Sequence, residues 1–122
     1  VLEYEIKERG DVVIIRFYGS IGVGDAHRIK ESLSQLPPEN KRLVVNLGVS
    51  FLTSEAIGNL IFIYKHYREK GGLLTICNIS QSVRQVLEIT RLDKLLPIVE
   101  SEEEAVTKLS RPGEESESPS DM

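Results

Sequence analysis

Residues 43–77, LVVNLGVSFLTSEAIGNLIFIYKHYREKGGLLTIC, decide the architecture. The run Leu43-Val44-Val45 is apolar at consecutive positions, as a strand is when both of its faces are buried. Leu73-Leu74-Thr75-Ile76-Cys77 reads the same way. Between these runs Ile57, Leu60, Ile61, Tyr64 and Tyr67 recur at helical spacing and fit one face. Gly71-Gly72 stops that helix. A strand, a helix and a second buried strand form a parallel unit whose crossover is expected to be right-handed.

Upstream, Val12 to Tyr18 (VVIIRFY) is β-branched and aromatic and ends at Gly19, a strand signal. Leu2 to Lys7 alternates apolar and polar like a half-buried strand. Gly10-Asp11 between them suits a tight turn, so the first two strands are expected to form a hairpin. Asp25 can cap a helix carrying Ile29, Leu33 and Leu36 and closed by Pro37-Pro38. Downstream, Val83, Val86 and Leu87 mark a third helix capped by Ser80 or Ser82. Pro97-Ile98-Val99 suits a short last strand with proline at its entry. Ser101-Glu102-Glu103-Glu104 is a capping box that would start a helix docking Ala105, Val106 and Leu109. The fold class is therefore α/β, a mixed β-sheet with helices packed against it. Residues 1–110 are expected to form the domain. Residues 111–122 are expected to be a disordered acidic tail, too poor in apolar area to offset its ordering entropy.

Composition narrows the function. With 122 residues the chain can bury a core without staples. One cysteine, Cys77, allows no internal disulfide, which suits a reducing compartment. No stretch reaches the ~20 apolar residues of a membrane span, and the N-terminus does not read as a signal peptide. A cytoplasmic location is expected. Four of the 19 acidic residues follow Arg111, leaving 15 against 15 basic ones up to and including Arg111. A neutral body offers no basic stripe for phosphate backbones, which argues against a direct nucleic-acid binder.

Catalytic signals are weak. Gly22-Val23-Gly24 lacks the third glycine of a dinucleotide fingerprint, and no Gly-Lys-Ser/Thr loop is present. His27 and His66 are separate, each on an expected helix, and read as surface or boundary residues. Cys77 reads as a core residue. No nucleophile-base order and no metal-ligand spacing stands out. No cofactor is implied, and an enzyme is not expected.

From Leu43 to Ile98 the sequence also carries an ordered series. Leu43-Val44-Val45-Asn46-Leu47 precedes Phe51-Leu52-Thr53-Ser54-Glu55-Ala56-Ile57-Gly58-Asn59-Leu60. Gly71-Gly72-Leu73, Asn78-Ile79-Ser80, Val83-Arg84-Gln85-Val86-Leu87-Glu88-Ile89-Thr90 and Leu92-Asp93-Lys94-Leu95-Leu96-Pro97-Ile98 follow. In order and spacing this resembles the STAS domain, the fold of anti-sigma factor antagonists. Similarity extends more weakly upstream through Gly19 to Leu36. The resemblance implies a regulatory protein-binding domain that docks onto a kinase-type anti-sigma factor and is switched by serine phosphorylation, with a phosphatase restoring it. Alternatives are a non-phosphorylated STAS scaffold that self-associates, as a homodimer for example, or joins a larger signalling assembly, and a small-ligand or nucleotide binder.

In that family the phosphorylated serine directly follows a motif aspartate, in an Asp-Ser-Ser-Gly-like sequence. The matching position here is Ser54. Thr53 replaces the aspartate, Glu55 the second serine and Ala56 the glycine; Thr53 is the alternative acceptor. The local setting agrees, because a helix N-terminus favours an anion. The simpler reading is that Thr53 or Ser54 caps the helix, and both roles are compatible. The partner surface is expected to include Thr53, Ser54, Glu55 and Asn59, with Gly22, Gly24 and Asp25 in a neighbouring strand-to-helix turn.

Overall fold

The computed structural model describes residues 2–19, 21 and 24–110. Strands β1 (Leu2–Arg9) and β2 (Val12–Gly19) form an antiparallel hairpin with Arg9 opposite Val12. Its two-residue loop begins at Gly10 with φ +62°, a conformation glycine adopts without strain. Strands β3 (Arg42–Val49), β4 (Leu73–Cys77) and β5 (Ile98–Val99) add in parallel, in the order β1-β2-β3-β4-β5. Helices α1 (Ala26–Leu33), α2 (Ser54–Glu69) and α3 (Gln81–Ile89) connect the parallel strands, the last through a 3-10 turn at Leu92–Lys94. Helix α4 (Glu102–Leu109) follows β5. This is the mixed sheet expected from the sequence.

The three crossovers advance in one direction, so a common right hand places α1, α2 and α3 on one face. There Val13, Ile15, Phe17, Leu43, Val45 and Leu47 of the sheet meet Ile29, Leu60, Ile63, Tyr67, Val83 and Leu87 of the helices. The alternate strand positions Val12, Ile14, Val44 and Cys77 face the other way, against Ala105, Val106 and Leu109 of α4. Two covered faces explain why β2 and β3 read as unbroken apolar runs. Cys77 is fully buried, and that burial, with Glu102 adding to it, pushes its thiol up to about 12. It is a neutral core residue, as expected.

Helix α2 ends as Gly71-Gly72 foretells. The Gly72 N–H donates to the Tyr67 carbonyl (2.7 Å) and the Gly71 N–H to the Arg68 carbonyl (3.1 Å), with Gly71 at φ +77°. This pair of bonds is a Schellman stop. Buried Tyr67 keeps its hydroxyl satisfied, accepting from Asn40 Nδ2 at 2.7 Å.

Some local expectations are corrected. Asp25 precedes α1 but makes no capping bond: at φ −76°, ψ −13° its backbone is already helical, whereas a cap needs the extended region. Helix α1 stops at Leu33, a turn before Pro37-Pro38, where Ser32 and Ser34 hydroxyls bond the Ile29 and Glu31 carbonyls. Such short polar side chains compete with the helical ladder. Leu36, beyond the helix, is still buried. The buried face of α2 is Ala56, Leu60, Ile63, Tyr64 and Tyr67, with Ile57 and Ile61 only half-buried at its flank. Ser80, not Ser82, caps α3, accepting from the Val83 N–H at 3.2 Å. Ser101 caps α4 through the Glu104 N–H at 3.1 Å. The tail at 111–122 lies outside the described residues.

Candidate docking and modification site

Strand β3 ends at Val49, and the chain turns through Ser50 to Thr53 into α2. Thr53 is in the extended region, and its Oγ1 accepts from the Ala56 N–H at 3.1 Å. A threonine thus supplies the cap that an aspartate could supply. Ser54, the first helical residue, is exposed and stands outside that capping bond. Glu55 is exposed in the first turn, and Ala56 is fully buried, so its methyl belongs to the core. Asn59 is half-buried one turn later.

With 16 residues, α2 presents a full dipole at this end, where first-turn N–H groups and partial positive charge favour an anion. Gly24 and Asp25 follow the end of β2 as Thr53 and Ser54 follow the end of β3, which puts both turns at the carboxyl edge of parallel strands. Gly24 is exposed at φ +91°, and Asp25 is half-buried. Gly22 falls outside the described residues.

Two aromatic side chains near Ser54 escape a reading of the sequence. Phe51, three residues before Ser54, is 48% exposed, and Phe62 is 62% exposed. Ser54, Gly58 and Phe62 are spaced by four and line one outer stripe of α2. The Phe62 ring stacks on His66, with centroids 6.3 Å apart. The only hint in the sequence is that Phe62 falls off the apolar face of its helix. A Cβ at Gly58 would meet nothing within 4 Å. Gly58→Ala is therefore expected to raise stability by about 0.5–1 kcal/mol, the helix-propensity difference. A thermal melt checks this, and an unchanged or lower midpoint would refute it.

Behind this turn lies a polar network on the α4 side of the sheet. Arg16 donates from Nε and Nη2 to Glu102 at 2.8 and 2.6 Å, and from Nη1 to Glu5 at 2.7 Å. Asn46 Nδ2 donates to Glu102 at 2.9 Å, and Asn78 Nδ2 to Asn46 Oδ1 at 2.9 Å. The Arg16 fork holds the Glu102 carboxyl below the usual carboxylate range despite partial burial. Ser80 Oγ also donates to the Ser50 carbonyl at 3.1 Å, tying α3 to the turn before Ser54.

A surface cavity of about 430 Å³ opens at the other end of the strands, among Glu8, Asp11, Pro37, Glu39, Lys41 and Arg42. Its charges are of both signs, and it lies away from Ser54. Among the described residues no group of three His, Cys, Asp or Glu side chains is placed to hold a metal ion, and no helix is long and apolar enough to cross a membrane.

Known proteins share this architecture. The family model described as STAS domain matches residues 3–105. The Anti-sigma F factor antagonist of Paenibacillus polymyxa is 24% identical over 111 residues, covering 88% of this chain and 95% of its own. The crystal structure of an anti-sigma factor antagonist from Mycobacterium paratuberculosis superposes with a TM-score of 0.80 at 20% identity, covering 89% and 94% of the two chains. The Bacillus cell fate determinant SpoIIAA, solved in its phosphorylated form, superposes with a TM-score of 0.66 at 20% identity, covering 90% and 100%. With the sheet order, the helix placement and a family match over most of its length, the chain belongs to the STAS domain family, and the relatives it matches there are anti-sigma factor antagonists, regulatory proteins and not enzymes.

Proposed function

We propose that this domain is a cytoplasmic anti-sigma factor antagonist that docks onto a kinase-type anti-sigma factor and is switched at Ser54. The observation that carries the proposal is a division of labour at the start of α2. Thr53 takes the capping bond, so exposed Ser54 can be modified without undoing the cap. The names of the Paenibacillus relative and of the phosphorylated SpoIIAA structure support the same reading. The partner face would comprise Thr53, Ser54, Glu55 and Asn59, with Gly24 and Asp25 beside them and the exposed aromatics Phe51 and Phe62.

In the proposed switch, Ser54 Oγ attacks the γ-phosphorus of ATP held with Mg²⁺ by the partner. The bond to the β-phosphate oxygen breaks, ADP leaves, and the hydroxyl proton passes to a base on the kinase. The product carries about −1.5 to −2 charge. The helix N-terminus accepts it, while Glu55 opposes it by about 1 kcal/mol per unit charge at 4 Å in water. That is close to the 0.3–1 kcal/mol gained from the dipole. The fixed Glu55 charge thus lowers the contrast between the two states without forbidding the modified one. A phosphatase would return the serine by hydrolysis.

Intact mass after incubation with the cognate kinase-type anti-sigma factor and MgATP tests this. One phosphoryl group is expected on the wild type and on Thr53→Ala, and none on Ser54→Ala. A gain that persists in Ser54→Ala would reject Ser54. A wild type that binds the anti-sigma factor yet gains no mass would favour a constitutive binder, the role for which the Glu55 charge already suits the site.

A further inference from the structure

Strand β1 is one edge of the sheet, and among the described residues no strand pairs with its outer side. The other edge, β5, is two residues long, whereas β1 has eight. Glu3, Glu5, Lys7 and Arg9 alternate along one face of β1, the face on which Glu5 lies beside Arg16. Leu2, Tyr4, Ile6 and Glu8 take the other face, where Tyr4 and Ile6 are only half-buried against the core and Glu8 is exposed. Charged edges ordinarily discourage pairing with other chains. Here the order of the signs, Glu-Glu-Lys-Arg, is complementary to its own reverse.

We infer that the edge of β1 is a docking surface for a second copy of this chain, paired antiparallel about a two-fold axis through Ile6. Residues opposite each other in an antiparallel pair share a face of the sheet. With Ile6 against Ile6 of the second copy, Glu5 meets Lys7 and Glu3 meets Arg9 of that copy, and the symmetry gives each pair twice. All four contacts join opposite charges. A slide by two residues in either direction, the smallest that keeps the two faces matched, puts Glu5 against Glu5 or Lys7 against Lys7, so the charges favour one alignment. Pairing also covers the half-exposed flank of Ile6 and brings Tyr4 diagonal to it and opposite Glu8 of the second copy. The result is a continuous ten-stranded sheet with an isologous interface. Because β1 lies two strands from β3, which leads into α2, both copies of Ser54 stay uncovered. The inference is independent of whether Ser54 is modified.

Sedimentation equilibrium of the full chain over a concentration series tests it, with circular dichroism to confirm folding of each variant. The wild type is expected to dimerise reversibly and more weakly as salt rises. Lys7→Glu, an exposed substitution that opposes Glu5, is expected to raise the dissociation constant at least tenfold. Under mild oxidation Ile6→Cys is expected to cross-link to itself, since opposite Cα atoms in such a pair lie within disulfide range. Glu5→Cys and Lys7→Cys are expected not to. A wild type monomeric at every concentration, a dimer indifferent to Lys7→Glu, or efficient linkage through Glu5→Cys would each overturn the inference.

Discussion

Replacing Gly72 with alanine is expected to lower the unfolding free energy by about 2–3 kcal/mol, the upper part of the range for forced overpacking. An added Cβ would stand 2.8 Å from the Lys41 carbonyl oxygen, 3.1 Å from Tyr67 Cδ2 and 3.2 Å from Lys41 Cα. Two of those atoms are backbone and the third belongs to a buried ring, so none can yield as a flexible side chain would. The same Lys41 carbonyl accepts from the Leu73 N–H at 2.7 Å, which starts the β3–β4 pairing. A shift that relieves the clash therefore pulls on the sheet. Gly71 beside it offers a contrast, because nothing lies within 4 Å of its Cβ position but its φ is +77°. Gly71→Ala is expected to cost about 1–2 kcal/mol, from backbone strain alone. Urea unfolding of both variants measures the difference. A Gly72→Ala loss no greater than that of Gly71→Ala would show that the close approach at Lys41 is not rigid.

Glu102→Gln is expected to lower stability at pH 7 by about 1–2 kcal/mol, within the range for hydrogen bonds to charged groups and reduced for partial exposure. The side chains of Arg16 and Glu102 are 32% and 19% exposed, so water screens the pair in part. The effect should depend on pH in one direction. The Glu102 carboxyl titrates lower in the folded protein than its ordinary value of 4.5. Its contribution is complete above that value and disappears as pH falls through the lowered folded one. The gap between wild type and Glu102→Gln should therefore narrow in acid, while a gap of constant size from pH 7 to pH 3 would show that the loss is not electrostatic. Denaturant titrations at several pH values decide between them.

Much of this architecture is legible in the sequence because its signals are local. Leu43-Val44-Val45 must be covered on two sides, and Gly71-Gly72 sits where a helix has to stop. Thr53, Ser80 and Ser101 carry their oxygens three residues before a helical N–H that needs one. Asp25 carries an equally suitable oxygen, but a cap also depends on backbone angles that the residue type does not dictate. The inner face of α2 is ambiguous because Ile57, Ile61, Phe62 and Ile63 offer apolar atoms on several sides, and only the sheet below selects Ala56 and Ile63. Arg16 and Glu102 are 86 positions apart, with no local pattern to join them. At the site, the place of Ser54 follows from motif order, whereas the exposure of Phe51 and Phe62 follows from packing.

The course of α4 has a practical consequence. Arg42, at the beginning of β3, donates to the carbonyl of Leu109 at the end of α4, whereas Ser54 comes after the far end of that strand. The helix thus closes at the opposite pole from Ser54 and on the reverse side of the sheet from α2. A sensor chip or fluorescent reporter tethered behind α4 would leave the serine turn facing solution, so kinetics of partner capture can be recorded from that anchorage without steric shielding.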